Sequence, residues 1–154
     1  MKPEAAGDVW FYHLENSSLD QVLPGLLEKT IQRGWRALVR VREPALLAFL
    51  DERLWTWRDE SFLAHGRADV DHADRQPILL TQGGGNPNRA DALFLVDGAE
   101  ATDVGDFARC LIIFDGQDAE ALARAREQWK SLKQRGAAAS YWRQTEEGTW
   151  SRAA

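Results

Sequence analysis

An α/β fold with a mostly parallel central sheet follows from three observations. Stretches of strand character alternate with stretches of helical periodicity along the chain. Several of the strands are almost wholly apolar, as strands covered on both faces must be. The length of 154 residues suits one substantial core rather than two. We therefore expect a single domain over residues 1–154, a Rossmann-like three-layer arrangement with helices on both sides of the sheet.

Each element can be justified in turn. "DVWFYHL" is too short for a helix and rich in aromatic and β-branched residues, so it reads as a buried strand. In "SSLDQVLPGLLEKTIQRG", Ser18 suits an N-cap, Leu19, Val22, Leu26 and Ile31 trace a helical stripe, and Gly34 suits the stop. Pro24 and Gly25 fall in its first turns, where proline is best tolerated. "WRALVRV" alternates apolar and basic residues as a strand, and "EPALLAFLDERLWTW" returns to helix with Pro44 near its start.

From Arg58 to Gln76 the chain turns polar, with one short strand expected at "SFLA". "PILLT" resumes the strand pattern, "QGGGNPNRAD" is a loop by composition, and "ALFLVDG" and "ARCLIIFDG" are further apolar strands. A long helix from about Asp118 to Arg135 ends at Gly136. "ASYWRQTEEGTW" reads as a last strand or hairpin.

Composition narrows the function. The net charge is -5, which argues against broad duplex DNA binding by phosphate neutralisation. One cysteine, Cys110, sits inside the apolar "RCLIIF"; it can neither staple the fold nor build a cysteine metal site, and a reducing cytosol suits it. No charged-then-apolar signal segment opens the chain and no apolar run approaches the ~20 residues of a membrane span. The expectation is a soluble, cytoplasmic protein with no membrane contact. Seven tryptophans exceed what a small core needs, and indole is a frequent anchor at binding surfaces.

Candidate catalytic features do not assemble. "GGGNPN" lacks the lysine and hydroxyl of a phosphate loop and precedes a strand pattern, where phosphate loops need a helix N-terminus. His65, Asp69, Asp71, His72 and Asp74 gather in a polar stretch that reads as a solvated loop, because ligand count without convergence does not make a metal site. Cys110 lies where a thiolate is poorly stabilised, and no serine occupies a nucleophile elbow. We expect no enzyme activity, metal or cofactor; the competing reading is a small nucleotide-binding α/β enzyme using the sheet crevice.

The last helix is more informative. At 100° per residue, Ala121, Leu122, Ala125, Trp129 and Leu132 form one apolar arc, with Arg126, Lys130 and Lys133 in the sector beside it. Arg124, Glu127 and Ser131 fall on the far side. Two readings stay open: an ordinary docking helix whose long basic side chains complement its dipole, or a small site for an anion with an apolar companion, such as a peptide's terminal carboxylate beside its last side chain. A second stretch, "RLWTWRDESFLAHG", places Trp55, Trp57, Phe62 and Leu63 in polar surroundings, more apolar bulk than a helix end readily hides.

"WFYHL", "LDERLWTWRDESFLAHG", "QPILLT", "NPNRADALFLVDG", "FARCLIIFDG" and "AREQWKSLKQRG", in that order, resemble the chi subunit of bacterial DNA polymerase III holoenzyme. The resemblance runs through most of the chain. It implies a Rossmann-like fold without the nucleotide site and a non-catalytic replication accessory. Such proteins bind the acidic C-terminal tail of single-stranded DNA-binding protein and tie it to the clamp loader through the psi subunit, so contact with single-stranded DNA is indirect. The positions matching the family's tail site are Arg126, Trp129 and Lys130, with Lys133 nearby; the psi-facing surface matches Trp55 and Phe62. Psi, another clamp-loader component or a helicase-like repair protein is the second partner the resemblance implies. One departure stands out: a lysine one turn before the arginine in other members corresponds to Leu122 here.

Overall fold

The computed structural model describes residues 8–56, 64–67, 72–101, 103–147 and 149–154. Among these residues eight strands, β1 (Asp8–Leu14), β2 (Ala37–Arg40), β3 (Gly66–Arg67), β4 (Ile78–Thr81), β5 (Ala92–Leu95), β6 (Arg109–Asp115), β7 (Ala138–Gln144) and β8 (Trp150–Arg152), form one sheet. Its order is β3-β4-β2-β5-β6-β1-β7-β8, parallel throughout except for the β7–β8 hairpin. Among the described residues three α-helices pack on it: α1 (Leu19–Gln32), α2 (Pro44–Thr56) and α3 (Ala119–Gln134).

The three layers follow from alternation within the strands. Along β1, Tyr12 and Leu14 join a cluster with Leu23 and Leu27 of α1 and Leu47, Leu50 and Leu54 of α2. Val9 and Phe11 point the other way, into a cluster with Ala125 and Leu132 of α3. Thus α1 and α2 cover one face and α3 the other, and the Rossmann-like architecture expected from the sequence is present.

Most elements begin and end as their sequences require. Gln21 Oε1 accepts from the Ser18 amide at 2.9 Å at the start of α1, and Gly34 takes φ +86° just beyond its end. The Asp118 carboxylate accepts from the amides of Glu120 and Ala121 at the start of α3, and Gly136 at φ +81° ends it.

Three places add to the sequence reading or fall partly outside the described residues. All four residues of β2, read from "WRALVRV", are buried, Arg40 included: α1 and α2 pack against one side of the strand, and Asp103, Phe107 and the Gly85 carbonyl meet Arg40. The two-residue β3 at Gly66–Arg67 carries no periodic signal. Of the strand expected at "SFLA", residues 61–63 lie outside the described residues, and Ala64 is not in a strand.

Candidate functional site

The α3 helix is fixed on the sheet by its apolar arc. Ala125 and Leu132 are buried and Ala121, Leu122 and Trp129 pack partly against the same cluster. Trp129 stands where the arc meets solvent. Its ring meets Phe11 edge-on at 5.3 Å and Tyr141 edge-on at 5.9 Å, while Phe11 and Tyr141 stack 10° from parallel. Such edge-to-face contacts are the favoured geometry for aromatic pairs. Tyr141 reaches this point because β7 runs parallel to β1 with Phe11 opposite Tyr141.

These residues wall a groove of about 440 Å3 lined by Ala123, Arg126, Glu127, Trp129, Lys130, Tyr141 and Ala154. The Tyr141 amide donates to the Ala154 carbonyl at 3.1 Å and the Ala153 amide to the Tyr141 carbonyl at 2.7 Å, which brings the segment after β8 to the rim. Arg126 and Lys130 are exposed, and neither has an ion-pair partner among the described residues. Chemically, the groove offers two uncommitted cations above an aromatic wall. That combination suits an anion attached to an apolar group.

The sequence-derived residues are thus only partly brought together. Arg126, Trp129 and Lys130 share the groove; Lys133 does not line it, and its Nζ instead lies 5.4 Å from the centre of the Trp129 ring. Tyr141 was not foreseen, since only the sheet order puts it beside Trp129. Trp142 and Trp150 lie on the opposite face, stacked on Trp10 at 5.5 Å and Tyr12 at 4.6 Å.

Behind the groove, the Tyr141 hydroxyl and His13 Nδ1 share a hydrogen bond of 2.6 Å. Burial pushes the Tyr141 pKa up, against Arg143 and Arg126, so the hydroxyl keeps its proton at neutral pH. Burial also lowers the pKa of His13; Glu15, with Oε1 3.4 Å from Nε2, opposes this and does not reverse it.

The outer face of α3 differs from its helical wheel. Arg124, expected on the solvent side, is half-buried against Gly98, and Gln128 Nε2 donates to the Ala99 carbonyl at 3.2 Å. The loops after β5 rise high enough to cover this flank.

A second surface lies across the sheet on α2. Trp55 is 52% exposed and Phe49 45%, and the Trp55 ring lies 4.2 Å from that of His65. Phe62, expected on this surface, lies outside the described residues. His65 is turned inward, its Nε2 2.9 Å from Asp51 Oδ1. Asp69 and Asp71 also lie outside the described residues, among which no three or more His, Cys, Asp or Glu residues group as metal ligands. Burial pushes the Cys110 thiol up to about 12, which keeps it from acting as a nucleophile. No described helix is long and apolar enough to cross a membrane.

Fold and site together define a three-layer α/β protein with a cationic, aromatic-walled groove on its last helix and an exposed aromatic pair on the opposite layer. Residues 7–140 match the family described as DNA polymerase III chi subunit, HolC. The chain belongs to this family, and so to the accessory subunits of a replicative DNA polymerase. It is similar to the probable DNA polymerase III subunit chi of Rickettsia prowazekii (strain Madrid E), at 27% identity over 111 residues, covering 68% of this chain and 67% of that protein.

Proposed function

We propose that the α3 groove receives the acidic C-terminal tail of single-stranded DNA-binding protein and that the protein, without catalysis of its own, links that tail to the clamp loader in the cytoplasm. The observation that carries this reading is the pairing of Arg126 and Lys130, both lacking ion-pair partners among the described residues, with the Trp129–Tyr141 wall. The tail's terminal and side-chain carboxylates pair with the two cations, and its last phenylalanine packs against the wall. Lys133 steadies the Trp129 ring and adds positive field at the entrance.

The exposed Trp55 and Phe49 on α2 are the surface for the second partner, psi or another clamp-loader component, or a helicase-like repair protein that competes for it. Because α2 and α3 lie on opposite sides of the sheet, both partners can be held together, as a linker requires.

The test is titration of a fluorescent acidic peptide ending in Asp-Phe. Wild-type protein is expected to bind in the micromolar range with strong salt dependence. Arg126→Ala should weaken binding by about tenfold or more, the usual loss for a charge-assisted contact. Unchanged binding in that variant refutes the site.

A further inference from the structure

The carboxyl end of the sheet holds a crevice that meets the α3 groove only at Glu127 among their lining residues. From β2 the chain passes to α2 on one face, and from the neighbouring β5 it passes to Val104 and Phe107 in the cluster on the other. Adjacent strands leading to opposite faces leave a crevice between their ends, the place where open α/β sheets take ligands. Two adjoining cavities occupy it here, of about 530 and 620 Å3, sharing Arg40, Gly84 and Glu100.

The smaller cavity is built around arginine. Arg40 is buried, held by Asp103 through two bonds of 2.8 Å and by the Gly85 carbonyl at 2.7 Å, and its Nε has no acceptor among the described residues. Arg124 is packed onto Gly98, where any Cβ would overlap its guanidinium, and Gly98 also needs its φ of +72°. Arg124 and Arg42, which also lines this cavity, have no ion-pair partner among the described residues. Asp103 matches Arg40, so two uncommitted cations face one carboxylate, Glu100. The Gly84 amide on the same wall has no acceptor among the described residues either.

The larger cavity continues past Arg40 to Leu95, Val104 and Leu132, and Asp103, Glu127 and Arg135 also line it. It is the more apolar half of the crevice.

We propose that this crevice binds a small phosphomonoester, its phosphate between Arg42, Arg124 and the Gly84 amide and its organic body in the adjoining cavity. Arginine forks match phosphate oxygens two at a time, and a phosphomonoester carries close to two negative charges at neutral pH. The volumes fit a small ligand. No helix N-terminus or lysine of a phosphate loop takes part, which is why the glycine-rich sequence alone did not reveal it.

The test is amide NMR on the 15N-labelled full chain at low salt, titrated first with inorganic phosphate and then with adenosine monophosphate. Saturable shifts at Gly84 and Gly98 are expected, with the nucleotide binding more tightly than phosphate. Arg42→Gln should weaken both ligands several-fold, and Arg42→Gln with Arg124→Gln by about tenfold or more; Arg42 is exposed, so the single variant reports without a folding question. Arg126→Ala should change nothing, which separates this site from the α3 groove. Non-saturating shifts, indifference to the arginine variants, or loss of binding in Arg126→Ala would overturn the proposal. Equal affinity for phosphate and nucleotide would overturn the placement of the organic body. A 5′-phosphorylated oligonucleotide carries the same group from a macromolecule; saturation by it alone would overturn the small-ligand assignment.

Discussion

The imidazole of His13 and the hydroxyl of Tyr141 meet at 2.6 Å across 128 residues of sequence, and this bond joins the sheet interior to the wall of the α3 groove. His13 is buried, and its pKa is lowered chiefly by that burial. The unfolded chain therefore takes up the proton first as pH falls. Stability should be complete above the ordinary histidine pKa of about 6.5 and decline as pH drops through the lower folded value. Urea unfolding at a series of pH values checks this, and His13→Gln should flatten the slope in that window.

Gly116 lies directly under the same ring, and any Cβ there would overlap His13. The imidazole cannot move without breaking its bond to Tyr141. Gly116→Ala should cost about 1–3 kcal/mol, the usual range for overpacking a filled site, measured by chemical denaturation. If the groove binds the acidic tail as proposed, the same variant should weaken the tail peptide without touching a groove residue, because Tyr141 loses its support.

The two ends of the groove illustrate what local pattern can and cannot reveal. Trp129 and its cations were legible because helical periodicity places Arg126 and Lys130 beside the apolar arc. Tyr141 was not, because its position depends on β7 pairing with β1 across the sheet, a long-range choice that leaves no trace in "ASYWRQ". Strands β1, β2, β4, β5 and β6 were readable from their apolar runs, whereas the two-residue β3 was not. The burial of Arg40 left no local trace for the same physical reason: a charged residue in a covered strand can be buried if a partner such as Asp103 reaches it, and that partner lies 63 residues away.

Leu122 packs partly against the α3 cluster one turn before Arg126, where the family resemblance places a lysine. If the groove binds the acidic tail, Leu122→Lys should tighten the peptide by a few-fold at low salt, since added surface charge acts through a screened field. The gain should fade as salt rises. Loss of the leucine's packing should lower stability by about 1 kcal/mol, read separately by thermal unfolding. An unchanged affinity at low salt would place the tail's carboxylates away from this turn of the helix.

The Arg40–Asp103 pair gives the sharpest stability prediction. Arg40 is nearly inaccessible, whereas the Asp103 side chain keeps 28% of its exposure. The hydrogen bonds from Arg40 hold the Asp103 carboxyl below its ordinary pKa, with burial acting in the opposite sense. Its contribution to stability should therefore be present above the unfolded carboxylate value, about 3.9, and disappear as pH falls through the lower folded one. Asp103→Asn removes the charge while keeping the shape, leaving Arg40 buried with an unmatched cation. That should cost about 3 kcal/mol, the lower end for breaking a buried pair, because the carboxylate is partly wet. Chemical denaturation should show the loss near neutral pH and a flatter acid limb. The same variant frees the Arg40 charge toward the crevice, so phosphate should bind Asp103→Asn more tightly than wild type in any preparation that remains folded.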